Sequence, residues 1–225
     1  MISGETRLVG LLGDPVSQSL SPRMQNAAFA ARGLDWAYVP LPVARERLED
    51  ALRGLVALGY AGANVTTPHK LAVAKLVKTG ELSVNTLVVE DGRVRAYSTD
   101  AAILDGLDFH RAAILGDGGA AAAFAAALPD ALRFARRGTW PPDVSDVDLV
   151  VNATSERDDV LVELRAGQTL VDLPYPRTAT AVAAEAAGGT VVGGLDVLLA
   201  QGAASFELWT GLPAPVEVMH SAIRP

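Results

Sequence analysis

The sequence predicts an α/β protein built in two parts, and three observations carry that expectation. Short apolar runs closed by glycine or proline alternate with amphipathic stretches through the N-terminal half. An Asp91-Gly92 pair between two strand-like runs signals a hairpin. A second series then opens at Ala112 with strand, glycine turn and helix in immediate succession, and more strands follow.

In the first part, residues 8–12 are the opening strand, closed by Gly13-Asp14-Pro15, where glycine and proline favour a loop. Ser21 is read as the N-cap of a helix with Pro22 at its first position, running through Met24, Ala27, Ala28 and Ala31 to Gly33. A strand over 36–41 leads to an amphipathic helix over 45–58, whose Leu48, Leu52, Leu55 and Val56 share a face. Gly59-Tyr60-Ala61-Gly62 ends that helix. Residues 63–66 form the next strand and Pro68-His69-Lys70 opens another helix. Residues 84–90 and 93–97 form the hairpin, and the Ser98-Thr99-Asp100 loop closes the first part.

In the second part, a strand over 112–115 and a turn at Gly116-Asp117-Gly118-Gly119 precede an alanine-rich helix over 120–128. Strands are expected at 131–135, 148–152, 168–172 and 190–192, with a helix over 179–187. Residues 197–209 and 216–223 read as helices.

Composition removes several classes of function. With 19 Lys and Arg against 26 Asp and Glu, the net charge is −7, and no basic run exceeds Arg136-Arg137. Nucleic acid is therefore excluded as a partner, since phosphate neutralisation dominates that affinity. The chain has no cysteine, which removes disulfides, thiolate metal sites and a cysteine nucleophile. His69, His110 and His220 lack metal-ligand spacing, so no metal is expected. No apolar run approaches the ~20 residues a bilayer demands, and the N-terminus lacks a targeting pattern. A cytoplasmic protein without a membrane partner is expected.

Gly116-Asp117-Gly118-Gly119-Ala120-Ala121 fits G-x-G-x-x-A between a strand and a helix, the arrangement that brings backbone against a pyrophosphate at a helix N-terminus. The second part then reads as a Rossmann-like, doubly wound dinucleotide-binding domain. About 20 residues on, where an acid would bind the ribose of NAD, stand Arg136 and Arg137, which suit the 2′-phosphate of NADP. NADP is the expected cofactor, with NAD as the alternative. The competing reading makes the glycines a mere turn and the arginines a solvated strand end, and Asp117 beside a pyrophosphate favours it.

In the first part, Ser19-Leu20-Ser21-Pro22 and Asn64-Val65-Thr66-Thr67-Pro68-His69-Lys70 follow strands with hydroxyls, an amide and an ammonium, groups suited to a polyol carboxylate. Alternation turns Asn64 and Thr66 to one side, and Lys70 on a first helical turn can reach the same space. Taken singly, each motif also reads as a cap, a turn bond or a solvated lysine.

Seven motifs in order resemble the shikimate dehydrogenase family: Gly13-Asp14-Pro15-Val16 with Ser19-Leu20-Ser21-Pro22, Asn64 to Lys70, Val84-Asn85-Thr86-Leu87, Ser98-Thr99-Asp100, Asn152-Ala153-Thr154, Pro174-Tyr175-Pro176, and Gln201-Gly202-Ala203 continuing to Leu208-Trp209-Thr210-Gly211. The resemblance implies a substrate-binding and catalytic domain over 1–101, which C-terminal helices over 200–225 rejoin. A reduced Rossmann-like NADP domain would cover 102–199. It implies Ser19 and Ser21 on the substrate carboxylate, Asn64, Thr66, Asn85 and Gln201 on its ring hydroxyls, and Tyr175 also on substrate. Lys70 and Asp100 would be the catalytic pair, the ammonium giving a proton to the oxygen of a reduced ketone. An ion pair without chemistry is the competing reading of those two. Gly116, Gly118, Gly119, Ala120, Arg136, Arg137, Asn152, Thr154 and Gly194 would face the cofactor.

The implied activity is NADP-dependent reduction of 3-dehydroshikimate to shikimate, by a monomer or homodimer whose partner is the small-molecule substrate. The alternative is a non-catalytic ligand-binding paralogue. Departures from the family gather in the cofactor half: Asp117 stands in the glycine turn, Ser155-Glu156-Arg157 follows Asn152-Ala153-Thr154, and the connection over 139–148 is too short for the usual helix.

Overall fold

Residues 2–224 are described by a computed structural model. The chain divides into two compact units, Met1–Thr99 with Leu199–Pro225, and Asp100–Leu198.

The first unit is built on a five-stranded mixed sheet. Its strands are β1 (Arg7–Gly13), β2 (Trp36–Pro42), β3 (Gly62–Val65), β4 (Thr86–Glu90) and β5 (Arg93–Tyr97), in the order β2-β1-β3-β4-β5. The first three are parallel, while β4 and β5 form the expected antiparallel hairpin. Asp91 and Gly92 both take positive φ, 50° and 70°, which matches the twist of the strands they join.

The parallel strands are connected by α1 (Ser21–Ala31) and by α2 (Leu48–Ala57), which a 3₁₀ turn at Arg45–Arg47 precedes. Both helices end on glycine at a position only a left-handed residue fills without strain. Gly33 has φ 66° with Leu34 N–H returning to the Phe29 carbonyl, and Gly59 has φ 70° with Tyr60 N–H returning to the Leu55 carbonyl. The expected cap of α1 is corrected: Leu20 is the N-cap, and Ser21 and Pro22 are already helical. The reason lies two residues upstream, where the Ser19 hydroxyl accepts the Ser21 N–H at 3.2 Å and the backbone turns early.

Leu48, Leu52 and Leu55 of α2 and Val73 and Ala74 of α3 (Lys70–Val77) bury one face of the sheet over Leu12, Ala63, Val65 and Leu87. Phe29 of α1 stacks at 5.6 Å on Phe206 of the later helix α6 (Gly194–Thr210), and α7 (Val216–Ile223) buries Met219 and Ile223. Gly62 lets α6 approach closely: a Cβ there would lie 2.2 Å from the Leu87 carbonyl and 2.5 Å from Trp209 Nε1.

The second unit holds an all-parallel sheet of β6 (Ala112–Leu115), β7 (Leu132–Phe134), β8 (Leu149–Asn152), β9 (Thr169–Asp172) and β10 (Thr190–Val192), ordered β10-β9-β8-β6-β7. Its helices are α4 (Gly119–Ala127) and α5 (Ala179–Ala186). No helix joins β7 to β8 or β8 to β9. Loops do that burying: Val144, Val147, Leu161, Val162 and Leu164 pack with α5 on the face that carries Ala113, Leu115, Val150 and Leu170. Phe124 and Ala125 of α4 cover the other face over Ile114, Leu149, Val151 and Val171.

Helix α6 starts at Gly194, three residues before the expected start, because Asp196 Oδ2 accepts the Gly193 N–H at 3.1 Å and turns two apparent breakers into a helix entry. Among the described residues no helix is long and apolar enough to cross a membrane.

Two alanine substitutions should separate close approach from conformational freedom. Gly62→Ala should destabilise the protein by about 1–3 kcal/mol through overpacking. Gly54→Ala, where an added Cβ meets nothing within 4 Å inside α2, should stabilise it by about 0.5–1 kcal/mol. Denaturant unfolding of both variants measures the difference.

Candidate active site

In the first unit Ser19, Ser21, Asn64 and Thr66 lie at or beyond the carboxyl ends of β1 and β3, neighbouring parallel strands whose connections leave in opposite directions, while Asn85 precedes β4 and Gln201 is on α6. Such a switch point is where an open parallel sheet leaves a crevice. The two exits are tied together: Thr66 N–H donates to the Leu12 carbonyl at 2.8 Å, and Asp14 N–H to the Thr67 carbonyl at 3.1 Å. Gly13 makes this approach, since a Cβ there would lie 2.4 Å from the Thr66 methyl. Ser19 is half-buried and Ser21 buried at the start of α1, and Thr66 is half-buried at the exit of β3.

Asn64 is 5% exposed and fully engaged. Its Nδ2 faces the Asn85 carbonyl at 3.0 Å, Thr86 Oγ1 at 3.1 Å and Ser205 Oγ at 3.0 Å, while its Oδ1 accepts the Tyr38 hydroxyl at 2.8 Å. Burial drives the Tyr38 phenol far above its ordinary range, and the Ser21 hydroxyl offsets this only in part.

Asn85 continues the network. Its Nδ2 donates to Thr99 Oγ1 at 2.9 Å and to Gln201 Oε1 at 3.2 Å, and its Oδ1 accepts the Thr99 N–H at 2.7 Å. Gln201 and Ser205 lie one turn apart on α6, and the Gln201 carbonyl accepts both the Ser205 hydroxyl at 2.9 Å and the Thr99 hydroxyl at 3.1 Å. The structure thus brings Asn64, Asn85 and Gln201 into one buried cluster. Tyr38, Thr86, Thr99 and Ser205 complete it; Thr86 and Thr99 stand inside motifs the sequence singles out, whereas Tyr38 and Ser205 are ordinary strand and helix residues until the helix returns.

Lys70 is the first residue of α3, behind the N-cap His69. Its carbonyl accepts the Val84 N–H at 3.2 Å, which fixes α3 against the segment that delivers Asn85. His69 is 1% exposed with Nε2 at 2.7 Å from the Val43 carbonyl, so it is occupied as a structural group.

Asp100 and Tyr175 belong to the second unit. Asp100 is buried, and it follows Thr99 directly in the chain.

The second unit has its own switch point between β6 and β8, with β7 on the far side of β6. The Gly116 turn leaves β6 with φ 120°, and a Cβ there would press at 3.0 Å on the Ala153 carbonyl. At Gly118, the N-cap of α4, an added Cβ would meet nothing within 4 Å. No side-chain hydrogen bond caps α4, whose first residues are Gly119 and Ala120, so the backbone N–H groups there have no side-chain competitor. A pyrophosphate fits these donors.

Asn152 and Thr154 act first as structure. Asn152 is 0% exposed, its Nδ2 donates to Asp172 Oδ1 at 2.7 Å, and its Oδ1 accepts the Thr154 hydroxyl at 2.8 Å. Asp172 also accepts the Thr178 hydroxyl at 2.9 Å, and Thr178 caps α5 through the Ala181 N–H. Gly194 packs tightly, since a Cβ would lie 2.5 Å from the Leu173 and Pro174 carbonyls. Arg136 and Arg137 are exposed just beyond β7. Among the described residues, no group of three or more His, Cys, Asp or Glu is placed to hold a metal ion.

Residues 11–86 match the shikimate dehydrogenase substrate binding domain, and residues 194–224 match the shikimate 5′-dehydrogenase C-terminal domain. A shikimate dehydrogenase (NADP(+)) of Citrifermentans bemidjiense is 39% identical, with 99% of this chain and 96% of that protein covered. That alignment spans 278 residues where this chain has 225, so the relative carries insertions with respect to it. The crystal structure of shikimate dehydrogenase from Aquifex aeolicus superposes with a TM-score of 0.90 at 28% identity, covering 100% of both chains. The Thermus thermophilus shikimate 5-dehydrogenase in complex with NADP(H) and shikimate gives a TM-score of 0.82 at 30% identity, covering 96% of this chain and 98% of that one.

The Tyr38 linkage is measurable. Its phenol stays protonated in the fold while an unfolded tyrosine ionises near pH ~10, so its share of stability is present below about pH 10 and lost above it. Tyr38→Phe orphans the Asn64 acceptor and should destabilise by about 1–3 kcal/mol at neutral pH. The gap between the two proteins should narrow from about pH 8 to about pH 11 in denaturant titrations; a constant gap would remove the assignment.

Proposed function

The chain belongs to the shikimate dehydrogenase family, and we propose that it catalyses the reversible, NADP-dependent reduction of 3-dehydroshikimate to shikimate. The observation that carries this reading is the buried Asn64, Asn85 and Gln201 cluster beside the Lys70 helix, a set of polar groups assembled from β3, the residue preceding β4, and α6. Relatives named as enzymes weigh against a non-catalytic binder.

In this reading the unit of Met1–Thr99 with Leu199–Pro225 binds substrate, and Asp100–Leu198 binds the dinucleotide. Ser19 and Ser21 take the substrate carboxylate, and Thr66, Asn85, Gln201 and Tyr175 take the remainder. Asn64 faces the ring hydroxyls with them, and it also holds the Asn85 carbonyl and the Thr86 hydroxyl. NADPH, when bound, supplies the hydride that the ring carbonyl carbon accepts. Lys70 gives its Nζ proton to the carbonyl oxygen as negative charge develops there, and Asp100 orients it; the reverse direction returns the proton to Lys70. Gly118, Gly119 and Ala120 would receive the pyrophosphate, with Gly116, Asn152, Thr154 and Gly194 shaping the crevice, and Arg136 and Arg137 would take the 2′-phosphate end. Cytoplasmic work as a monomer or homodimer completes the reading.

NADP reduction with shikimate, followed by absorbance, tests the activity, and calorimetric titration of shikimate alone tests binding. Lys70→Ala should lower kcat by about 10²–10⁴-fold while shikimate affinity changes far less, because the proton is needed only in the transition state. Equal losses in both, or no loss, would count against that role.

A further inference from the structure

The ends of β6, β7 and β8 lie level, since Leu115 is in register with Phe134 on one side and Asn152 on the other. The loop leaving β7 carries Arg136 and the loop leaving β8 carries Glu156, with the glycine turn of β6 between them. Arg136 Nη2 lies 3.5 Å from Glu156 Oε2 and 3.6 Å from Asp159 Oδ2, so this ion pair joins the two loops across the turn.

Glu156 is held for the task. Its Oε1 accepts the Arg157 N–H at 3.0 Å and the Asp158 N–H at 3.2 Å, and its own N–H donates to Thr154 Oγ1 at 3.2 Å. Thr154 is in turn fixed to Asn152. The backbone donors of Asp158 and Arg157, then the Arg136 charge, hold the carboxyl below its ordinary range. The Glu156 side chain is 29% exposed against 59% for Arg136, whose guanidinium lies 5.8 Å over the Trp140 ring.

We propose that Glu156, assisted by Asp159, is a specificity-determining residue that clasps Arg136 across the mouth of the dinucleotide crevice and competes with the 2′-phosphate of NADP(H) for it. The inference rests on the dinucleotide reading above. A 2′-phosphate must exchange a carboxylate pair for itself, whereas NAD(H) has no such group and leaves the clasp closed. The clasp therefore narrows the preference for NADP over NAD. An exposed pair of this kind shifts an equilibrium by up to about fivefold.

Calorimetric titration of the full chain with adenosine 2′,5′-bisphosphate and with adenosine 5′-monophosphate reads the clasp without turnover. Glu156→Gln with Asp159→Asn should tighten the bisphosphate about three- to fivefold and leave the monophosphate unchanged. Arg136→Ala should abolish that gain when combined with the two carboxylate changes, which separates a clasp from the general field of two lost charges. An unchanged or weakened bisphosphate, or a gain that survives Arg136→Ala, would overturn the clasp alone. Wild-type protein that binds neither probe would overturn the dinucleotide reading and the clasp with it.

Discussion

Asn64 must satisfy an amide buried within a sheet, and the first unit is organised around that requirement. A buried amide left unpartnered costs about 1–3 kcal/mol for each orphaned group. Tyr38 from β2, Thr86 and the Asn85 carbonyl from the β4 side, and Ser205 from α6 supply the partners. The last of these comes from 141 residues away, so a helix near the C-terminus has to pack on the N-terminal sheet. Gly62 and Gly202 make that packing close enough, the first under Trp209 and the second against Met24.

Once α6 is seated for Ser205, helical spacing settles Gln201 one turn away on the same face. Its side chain then meets Asn85, whose amide also fixes the Thr99 backbone. The groups read as ligand contacts and the groups that hold the unit together are members of one hydrogen-bonded set. Such a network is stiff because moving any member orphans another.

The second unit meets a different constraint. With no helix between β7 and β8 or between β8 and β9, one face of its sheet is closed by apolar side chains on loops. Those loops still need their polar groups paired, and Gln168 shows how: its Nε2 donates to the carbonyls of Val144 and Val147 at 2.8 and 2.7 Å. The Glu156 turn follows the same pattern, with a carboxylate capping the backbone that comes after it. Side chains that brace a loop thereby stand at the end of the sheet, beside the glycine turn of β6.

The sequence by itself determined whatever depends on neighbours in the chain. The Asp91-Gly92 hairpin, the glycine stops of α1 and α2, the leucine face of α2 and the strand, glycine turn and helix around Gly116 follow from local backbone preference and periodicity. The family motifs were legible for the same reason, since Asn64 to Lys70 and Gln201 to Gly211 are continuous stretches. Tertiary structure alone decided which residues stand behind them. Ser19 displaced Ser21 from the cap through a hydroxyl contact, Asp196 moved the start of α6 back to Gly194, and Asp172 with Thr178 anchored Asn152 from another strand. Tyr38 and Ser205 stand outside every motif, and the Arg136 to Glu156 pair joins loops on opposite sides of β6. Burial turns an ordinary hydroxyl or carboxylate into an obligatory partner, and which partner it finds depends on strand order, a property no local stretch of sequence contains.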